Sequence, residues 1–285
     1  MKITTKTKVI GIFGDPIEHS LSPPMQNAAI KSLGLDMIYI PWHVKPQHLE
    51  MALNGVRAMG IRGINLTIPH KERALNYIDS VSDEVGIIGA TNTIVNDRGK
   101  LVGYNTDGKG LLLALKKEYT FMPKGKKIVI IGAGGAARGI AAAMAAEGAT
   151  TVIIANRTLG KAESLASEFS LKIRSSTFEG IDLSSEKLSH AFKNAHLLVN
   201  ASSAGMVGEN DLDLPLEQLT KETIVVDIVY KPLITSLLRD AEGLGLRTQG
   251  GLDMLACQGE IAFELFTGQS PPVNAMLEAL QGEFK

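Results

Sequence analysis

The sequence predicts an α/β protein of two domains, and three observations predict it. The chain has 285 residues, more than one small hydrophobic core usually serves. Short apolar runs rich in β-branched residues alternate with segments of helical period, the pattern of a mainly parallel sheet with helical crossovers. One such run, in KIVIIGAGGAARGIAAAMAAEG (127–148), passes straight into glycines and then into a small-residue helix, the way a dinucleotide-binding unit opens.

The elements follow in order. KVIGIFG (8–14) reads as a strand. PPMQNAAIKSLG (23–34) reads as a helix, with proline in its first turn and glycine near its end. MIYIPWHV (37–44) is a strand near a sheet edge, because Pro41 has no N–H to give a ladder. PQHLEMALNGVRAMG (46–60) is a helix, GINLTI (63–68) a strand and HKERALNYID (70–79) another helix. TNTIVNDRGKLVGYN (91–105) forms a hairpin with an Asn-Asp-Arg-Gly turn. GKGLLLALKKEY (108–119) is an amphipathic helix, and TFMPKGKK (120–127) has the composition of a junction. A second α/β series follows from 127. It has a helix near 160–169, the apolar runs AHLLVNAS (195–202) and TIVVDIVY (223–230), and amphipathic helices in 250–268 and 273–284.

Bulk properties exclude several classes. Basic and acidic residues number 29 and 30, a net charge of −1, so nothing in the charge invites nucleic acid or an anionic membrane. Cys257 is the one cysteine, which leaves no intrachain disulfide and no cysteine cluster for zinc. The six histidines lack metal-ligand spacing, so no metal is expected. The first residues have no long apolar core and no stretch approaches a spanning helix, so a cytoplasmic protein is the expectation.

In the glycine turn, Gly132, Gly134 and Ala137 make G-x-G-x-x-A. The first glycine permits the tight turn, the second lets the backbone approach a pyrophosphate, and the alanine allows close helix–strand packing. The helix N-terminus offers N–H groups and partial positive charge to phosphates. An NAD enzyme usually carries a carboxylate at the end of the next strand. Here that strand ends in Asn156, Arg157 and Thr158, with Lys161 one turn on. A guanidinium binds phosphate through paired N–H groups, so the cofactor expected is NADP. The competing reading makes Arg157 and Lys161 solvated surface charges.

Four stretches place small polar residues at strand ends: HSLSPPMQN (19–27), NLTIPHK (65–71), GATNT (89–93) and GYNTDGKG (103–110). They offer Ser20, Ser22, Thr67, Lys71, Asn92 and Asp107, a set suited to a small polyhydroxylated acid. Each has a plainer reading. Ser22 and Asp107 are good helix N-caps, Thr67 is an ordinary strand residue, and Lys71 is a solvated lysine, although of the wrong sign for a first helical turn. As a set they favour function. Leu255, Gln258 and Ala262 share one helical face, and a glutamine in an apolar stripe needs a hydrogen-bond partner if buried.

These stretches resemble shikimate dehydrogenases, and the resemblance runs through nearly the whole chain. HSLSP is similar to the family's substrate-binding serine motif and NLTIPHK to its lysine segment. GATNT, GYNTDGKG, GAGGAAR, NRT, NASSAGM, DIVYKPLITSLL and GGLDMLACQGEIAFELFTG follow in the family's order. The resemblance implies NADP-dependent interconversion of 3-dehydroshikimate and shikimate, a step in aromatic amino-acid biosynthesis. It implies a substrate-binding and catalytic domain (1–107 plus 252–285), a Rossmann-type NADP domain (108–251), and C-terminal helices packing back toward the first domain. Ser20 and Ser22 are implied to bind the substrate carboxylate. Thr67, Asn92, Tyr230 and Gln258 are implied to contact the substrate, with Lys71 and Asp107 the catalytic pair. For NADP it implies Gly132, Ala133, Gly134, Gly135, Ala136, Asn156, Arg157, Thr158 and Lys161, with Ile228, Gly251 and Asp83.

Chemistry suits the pair: ketone reduction needs a proton source near the forming alkoxide, and an ammonium supplies both proton and charge. Two positions depart from the family pattern. Gln26 stands where histidine is frequent, and Ser202 where threonine is usual. The nearest alternative is a quinate/shikimate dehydrogenase that uses NAD, and the more distant one a nucleotide-binding regulator without turnover. The family's dimers set the expectation of a homodimer, and no stretch marks an interface.

Overall fold

The structure, a computed structural model, describes residues 3–284. The chain divides into two compact units, one running to Gly110 and resuming at Ala256, the other Leu111–Leu255. The division falls inside two helices, whereas 120–127 joins a helix to a strand within the second unit.

The first unit begins with β1 (Lys8–Gly14), α1 (Ser22–Ser32), β2 (Met37–His43), α2 (Leu49–Ala58) and β3 (Gly63–Leu66). The short β4 (Ser80–Val81), α3 (Asp83–Ile88), β5 (Thr93–Asp97), β6 (Lys100–Tyr104) and α4 (Asp107–Tyr119) follow. Its sheet has the order β2-β1-β3-β5-β6-β4, and β5 alone runs against the others. Pro41 lies on the edge strand β2, as its missing N–H requires. Asn27 of α1 holds that strand: its amide donates to the Tyr39 carbonyl and its Oδ1 accepts from the Tyr39 N–H, both at 2.9 Å. The β5–β6 turn is Arg98-Gly99, with φ of 53° and 91°. Positive φ at both positions is what a two-residue hairpin of matching twist demands. Leu49, Leu53 and Val56 of α2 form a core with Phe13, Ile64, Ile94 and Leu101 from the sheet.

One expected helix is not there. Residues 70–79 form only a 3₁₀ segment, Arg73–Tyr77. The chain must straighten to hydrogen-bond β6: the Asp79 N–H donates to the Leu101 carbonyl and Asp79 Oδ2 accepts from the Leu101 N–H. One backbone bond and one side-chain bond to a strand outweigh continuation through Asn76, Tyr77 and Asp79, all weak helix formers.

The second unit contains β7 (Lys127–Ile131), α5 (Gly135–Ala146), β8 (Thr151–Ala155), α6 (Leu159–Lys172), β9 (Thr177–Ile181), α7 (Ser185–Phe192), β10 (Leu197–Asn200), β11 (Ile224–Asp227), α8 (Ser236–Gly243) and β12 (Arg247–Gln249). The order β12-β11-β10-β7-β8-β9 is parallel throughout. That is the doubly wound arrangement, whose switch point lies between the first strand, β7, and β10. Strands buried on both faces read as continuous apolar runs, which is why IVII, VIIA, LLVN and IVVD carry so little polarity. Ile131, Ile153, Leu188, Phe192, Val225 and Leu237 share one core cluster.

The last helices, α9 (Gly251–Thr267) and α10 (Val273–Gly282), bring the chain back to the first unit. There α10 packs on α1, Gln26 Nε2 donates to the Gly259 carbonyl at 3.0 Å, and Arg62 Nε donates to the Phe266 carbonyl at 3.0 Å. No helix among the described residues is long and apolar enough to cross a membrane.

Candidate active site

Strand direction brings four separated stretches to one end of the sheet. β1 and β3 are parallel neighbours, so the loop after Gly14 and the segment after Leu66 leave the same end of the sheet. β5 runs the other way and pairs Thr93 with Asn65, so Asn92 enters at that end. Thr93 also pairs with Tyr104, which brings Asn105–Asp107 there as β6 finishes. Carboxyl ends of parallel strands are where open α/β sheets hold ligands.

Lys71 and Asp107 are joined. Lys71 Nζ lies 2.6 Å from Asp107 Oδ2, with the two side chains 15% and 5% exposed. The other carboxylate oxygen, Oδ1, accepts from Asn92 Nδ2 at 2.8 Å. Asn92 Nδ2 also reaches Thr106 Oγ1 at 2.9 Å and Gln258 Oε1 at 3.5 Å, and Thr106 Oγ1 donates to Gln258 Oε1 at 3.2 Å. Lys71, Asn92, Asp107 and Gln258 therefore form one cluster. Gly110 makes room for it, since a Cβ there would stand 2.6–2.8 Å from the Gln258 Cβ, N and Cα atoms. The segment carrying Lys71 is anchored by His70, which is fully buried and whose Nε2 contacts the Val44 carbonyl at 2.7 Å. A carbonyl only accepts, so Nε2 carries the proton. Burial pushes the His70 pKa down.

The plainer readings of the polar set mostly fall away. Ser22 opens α1 but does not cap it: the N-cap is Leu21, and no side chain caps that helix. The hydroxyls of Ser22 and Thr67 have no protein partner among the described residues, while Ser20 Oγ accepts from the Ser22 N–H at 3.3 Å. The Asp107 carboxylate bonds sideways to Lys71 and Asn92, and Asn105 Oδ1 takes the Asp107 N–H. Tyr230 belongs to the second unit and follows β11. Asp83 stands exposed in the first turn of α3, where Ser82 Oγ caps the Val85 N–H. Gln26 is buried, with its amide on Gly259 and no partner for Oε1.

The second unit contains a glycine turn that leads into α5. Gly132 has φ of 112°, and a Cβ there would meet the Ala201 carbonyl oxygen at 3.0 Å. Gly134 is the N-cap of α5, no side chain caps that helix, and nothing lies within 4 Å of where its Cβ would stand. The first N–H groups of α5, from Gly135 and Ala136, have no partner within the helix. Ala133, Gly135 and Ala136 are partly exposed, and Ala137 is fully buried against the sheet. Past β8, Asn156 Nδ2 donates to the Thr158 carbonyl at 3.0 Å. Arg157, Thr158 and Lys161 are exposed, and no carboxylate pairs with either cation among the described residues. Ile228 and Gly251 meet: a Cβ on Gly251 would lie 2.3 Å from the Ile228 carbonyl oxygen. The donor set fits a dinucleotide with a 2′-phosphate.

The chain matches known proteins along nearly its whole length. Residues 12–94 match the shikimate dehydrogenase substrate binding domain, 114–242 the shikimate / quinate 5-dehydrogenase model, and 251–281 the shikimate 5'-dehydrogenase C-terminal domain. The shikimate dehydrogenase (NADP(+)) of Methanopyrus kandleri is 44% identical over 98% of this chain and 97% of its own. The chain belongs to the shikimate dehydrogenase family. Among solved structures of this family, a shikimate dehydrogenase in complex with NADP+ is 39% identical and superposes with a TM-score of 0.90, covering 100% of this chain and 98% of the other. A ligand-free 5-ketofructose reductase of Gluconobacter is also similar, at 36% identity and a TM-score of 0.87, covering 99% of this chain and all of its own.

A buried carboxylate that no local sequence pattern marks also organises the second unit. Asp227, at the end of β11, is fully buried and gathers two loops. Oδ1 accepts from Asn200 Nδ2 and the Val229 N–H, both at 3.0 Å, and Oδ2 accepts from Thr235 Oγ1 at 2.7 Å. Asn200 in turn ties Ser202 and Ala204, and Ser202 Oγ closes the same turn on Asn200 Oδ1 at 2.7 Å. The Ser202 hydroxyl thus supplies the contact that a threonine would. Desolvation pushes the Asp227 pKa up to about 6, against the lowering pull of its three hydrogen bonds. With a folded pKa above the unfolded one, the native state holds the proton longer. The stability that Asp227 contributes is therefore fully present below pH 4 and is lost as pH rises through about 6, a change of about 3 kcal/mol. Urea melts of wild type and Asp227→Asn should show the difference between them change by that order between pH 4 and 7. A pH-independent difference would remove the assignment.

Proposed function

We propose that this chain catalyses the NADP-dependent, reversible reduction of 3-dehydroshikimate to shikimate. The observation that carries this reading is the buried Lys71–Asp107 pair at 2.6 Å, held by Asn92 and Gln258 at the carboxyl end of a parallel sheet. NADPH, when bound, supplies the hydride that adds to the substrate carbonyl carbon. The Lys71 ammonium donates its proton to the carbonyl oxygen as charge builds there, and Asp107 keeps the ammonium aimed. In the oxidative direction Lys71 takes the hydroxyl proton back. Ser22 and Thr67 supply hydroxyls left free for a carboxylate, with Ser20 beside them. Asn92 and Gln258 present amide groups to substrate hydroxyls.

The glycine turn and the N-terminus of α5 would hold the pyrophosphate, with Asn156, Arg157, Thr158 and Lys161 around the adenosine 2′-phosphate. The unpaired guanidinium and ammonium support NADP over NAD, because a protein carboxylate would otherwise occupy that position. A cytoplasmic location follows from this biosynthetic role, and the homodimer common in the family is proposed with it.

The test is nicotinamide reduction measured with shikimate, quinate and the alcohol of 5-ketofructose, each with NADP⁺ and NAD⁺. Turnover confined to shikimate with NADP⁺ is expected. Comparable turnover with quinate or NAD⁺ would move the chain to the broader quinate/shikimate branch, and turnover confined to the ketose pair would overturn the substrate. Lys71→Ala should lower kcat by roughly 10²–10⁴-fold with a smaller change in KM; an unchanged kcat removes the lysine from the chemistry. Arg157→Ala should raise the NADP⁺ KM by about tenfold or more and leave that for NAD⁺ nearly unchanged. Equal losses for both cofactors would refute the phosphate contact.

A further inference from the structure

A chain of buried side chains runs into the catalytic carboxylate from the far side of the sheet. It starts at Tyr39 on the edge strand β2, although β1 separates that strand from β3. Tyr39 Oη lies 2.8 Å from Asn65 Oδ1. Asn65 Nδ2 lies 2.9 Å from Thr93 Oγ1, its cross-strand partner. Thr93 Oγ1 lies 3.0 Å from Asn92 Oδ1, and Asn92 Nδ2 is 2.8 Å from Asp107 Oδ1. Tyr39, Asn65, Thr93, Asn92 and Asp107 are all buried, Thr93 completely.

The direction of every bond is fixed by neighbours that can play only one role. The Thr106 backbone N–H, a donor, lies 2.8 Å from Asn92 Oδ1, so that atom is the oxygen and Nδ2 faces the carboxylate. The Asn92 backbone carbonyl, an acceptor, lies 3.2 Å from Asn65 Nδ2, so that atom is the nitrogen and Oδ1 faces Tyr39. The Thr93 hydroxyl receives from Asn65 and must give its proton to Asn92. The Tyr39 hydroxyl must give its proton to Asn65. Each donor therefore points toward Asp107, and the bond dipoles align with positive ends toward the carboxylate. Such a chain strengthens its last bond by polarisation, most of all where water is excluded.

From this alignment we infer that Tyr39 and Thr93 are positioning residues for the reaction: through Asn65 and Asn92 they hold the Asp107 carboxylate, and with it the Lys71 ammonium, in its working orientation. The inference rests on Lys71 and Asp107 being the catalytic pair. Neither Tyr39 nor Thr93 acts on substrate; each acts through Asn92.

Thr93→Val cuts the chain cleanly. It keeps the shape of the side chain, and both neighbours retain a second partner: Asn65 Nδ2 has the Asn92 carbonyl, and Asn92 Oδ1 has the Thr106 N–H. The variant should fold. Its kcat for shikimate oxidation should fall about tenfold with KM changed less than about threefold, and Thr93→Ser should recover most of the loss. In an Asn92→Ala background, adding Thr93→Val should cost less than about twofold, because the link is already broken. A second readout needs no turnover. Acylation of Lys71 by a small amine-reactive probe, followed by peptide mass spectrometry, should quicken several-fold in Thr93→Val and return toward wild type in Thr93→Ser. Tyr39→Phe should move both readouts the same way by a smaller factor. Wild-type kcat and acylation in Thr93→Val would overturn the inference, as would losses that multiply with Asn92→Ala. Wild-type protein silent on shikimate would instead refute the proposed function, and the acylation readout would still decide whether the chain holds Lys71.

Discussion

A mostly buried charged pair is the constraint that the rest of this fold answers to. Taking a carboxylate and an ammonium out of water costs several kcal/mol per ion, and their mutual attraction offsets that only if the remaining hydrogen-bonding positions are filled. At Lys71–Asp107 the second carboxylate oxygen is filled by Asn92, itself oriented by the Thr106 N–H and Thr93. That need explains why polar residues interrupt the ends of apolar strands. It also explains the antiparallel β5: reversing one strand brings Asn92 and Thr93 to the sheet end where β1, β3 and β6 finish. A strictly parallel sheet would have put that strand's amino end on the opposite side.

The second unit meets a different demand with a sheet that is parallel throughout. Its ligand is expected to carry the charge, so the protein withholds charge from the turn and offers backbone N–H groups from α5 instead. Side-chain size decides whether those groups are reachable. Gly132 lies against Ala201, Gly134 opens onto free space, and Ala137 packs on the sheet. The cations that remain, Arg157 and Lys161, sit where exposure costs them nothing while no phosphate is bound. The Lys71–Asp107 pair is thus buried and neutralised internally, while Arg157 and Lys161 stay exposed without a carboxylate partner among the described residues.

Local pattern made much of this legible in the sequence. β1, β3, β7, β8, β10 and β11 are apolar runs whose period and bounds announce them, and the glycine turn carries its own steric logic. Pro41 marked the edge strand, and Leu255, Gln258 and Ala262 marked one face of α9, with Leu255 and Ala262 buried and Gln258 hydrogen-bonded beside them. What stayed hidden depended on partners distant in sequence. The segment 70–79 reads as a helix until the Leu101 backbone is there to bond Asp79. Tyr39 and Thr93 look like ordinary strand residues, because nothing local shows that their hydroxyls point to Asn65 and Asn92. Gly110 reads as a helix-weakening glycine until Gln258 stands over it.

Asp227 shows the same logic from the stability side. A buried carboxylate with a pKa pushed up to about 6 is a net cost to folding at neutral pH, and an asparagine would avoid most of it. Yet the carboxylate alone accepts three hydrogen bonds at once, from Asn200, Val229 and Thr235, which lie on three consecutive segments around β11. An amide in its place would accept on one atom and donate on the other, so the Thr235 hydroxyl would have to turn round, while its oxygen already receives the Leu238 N–H that starts α8. The charge is tolerated because an acceptor of that capacity can hold the 200–205 turn, the residues after β11 and the start of α8 in one register. At both sheet ends, then, a buried aspartate converts folding stability into the fixed placement of loops.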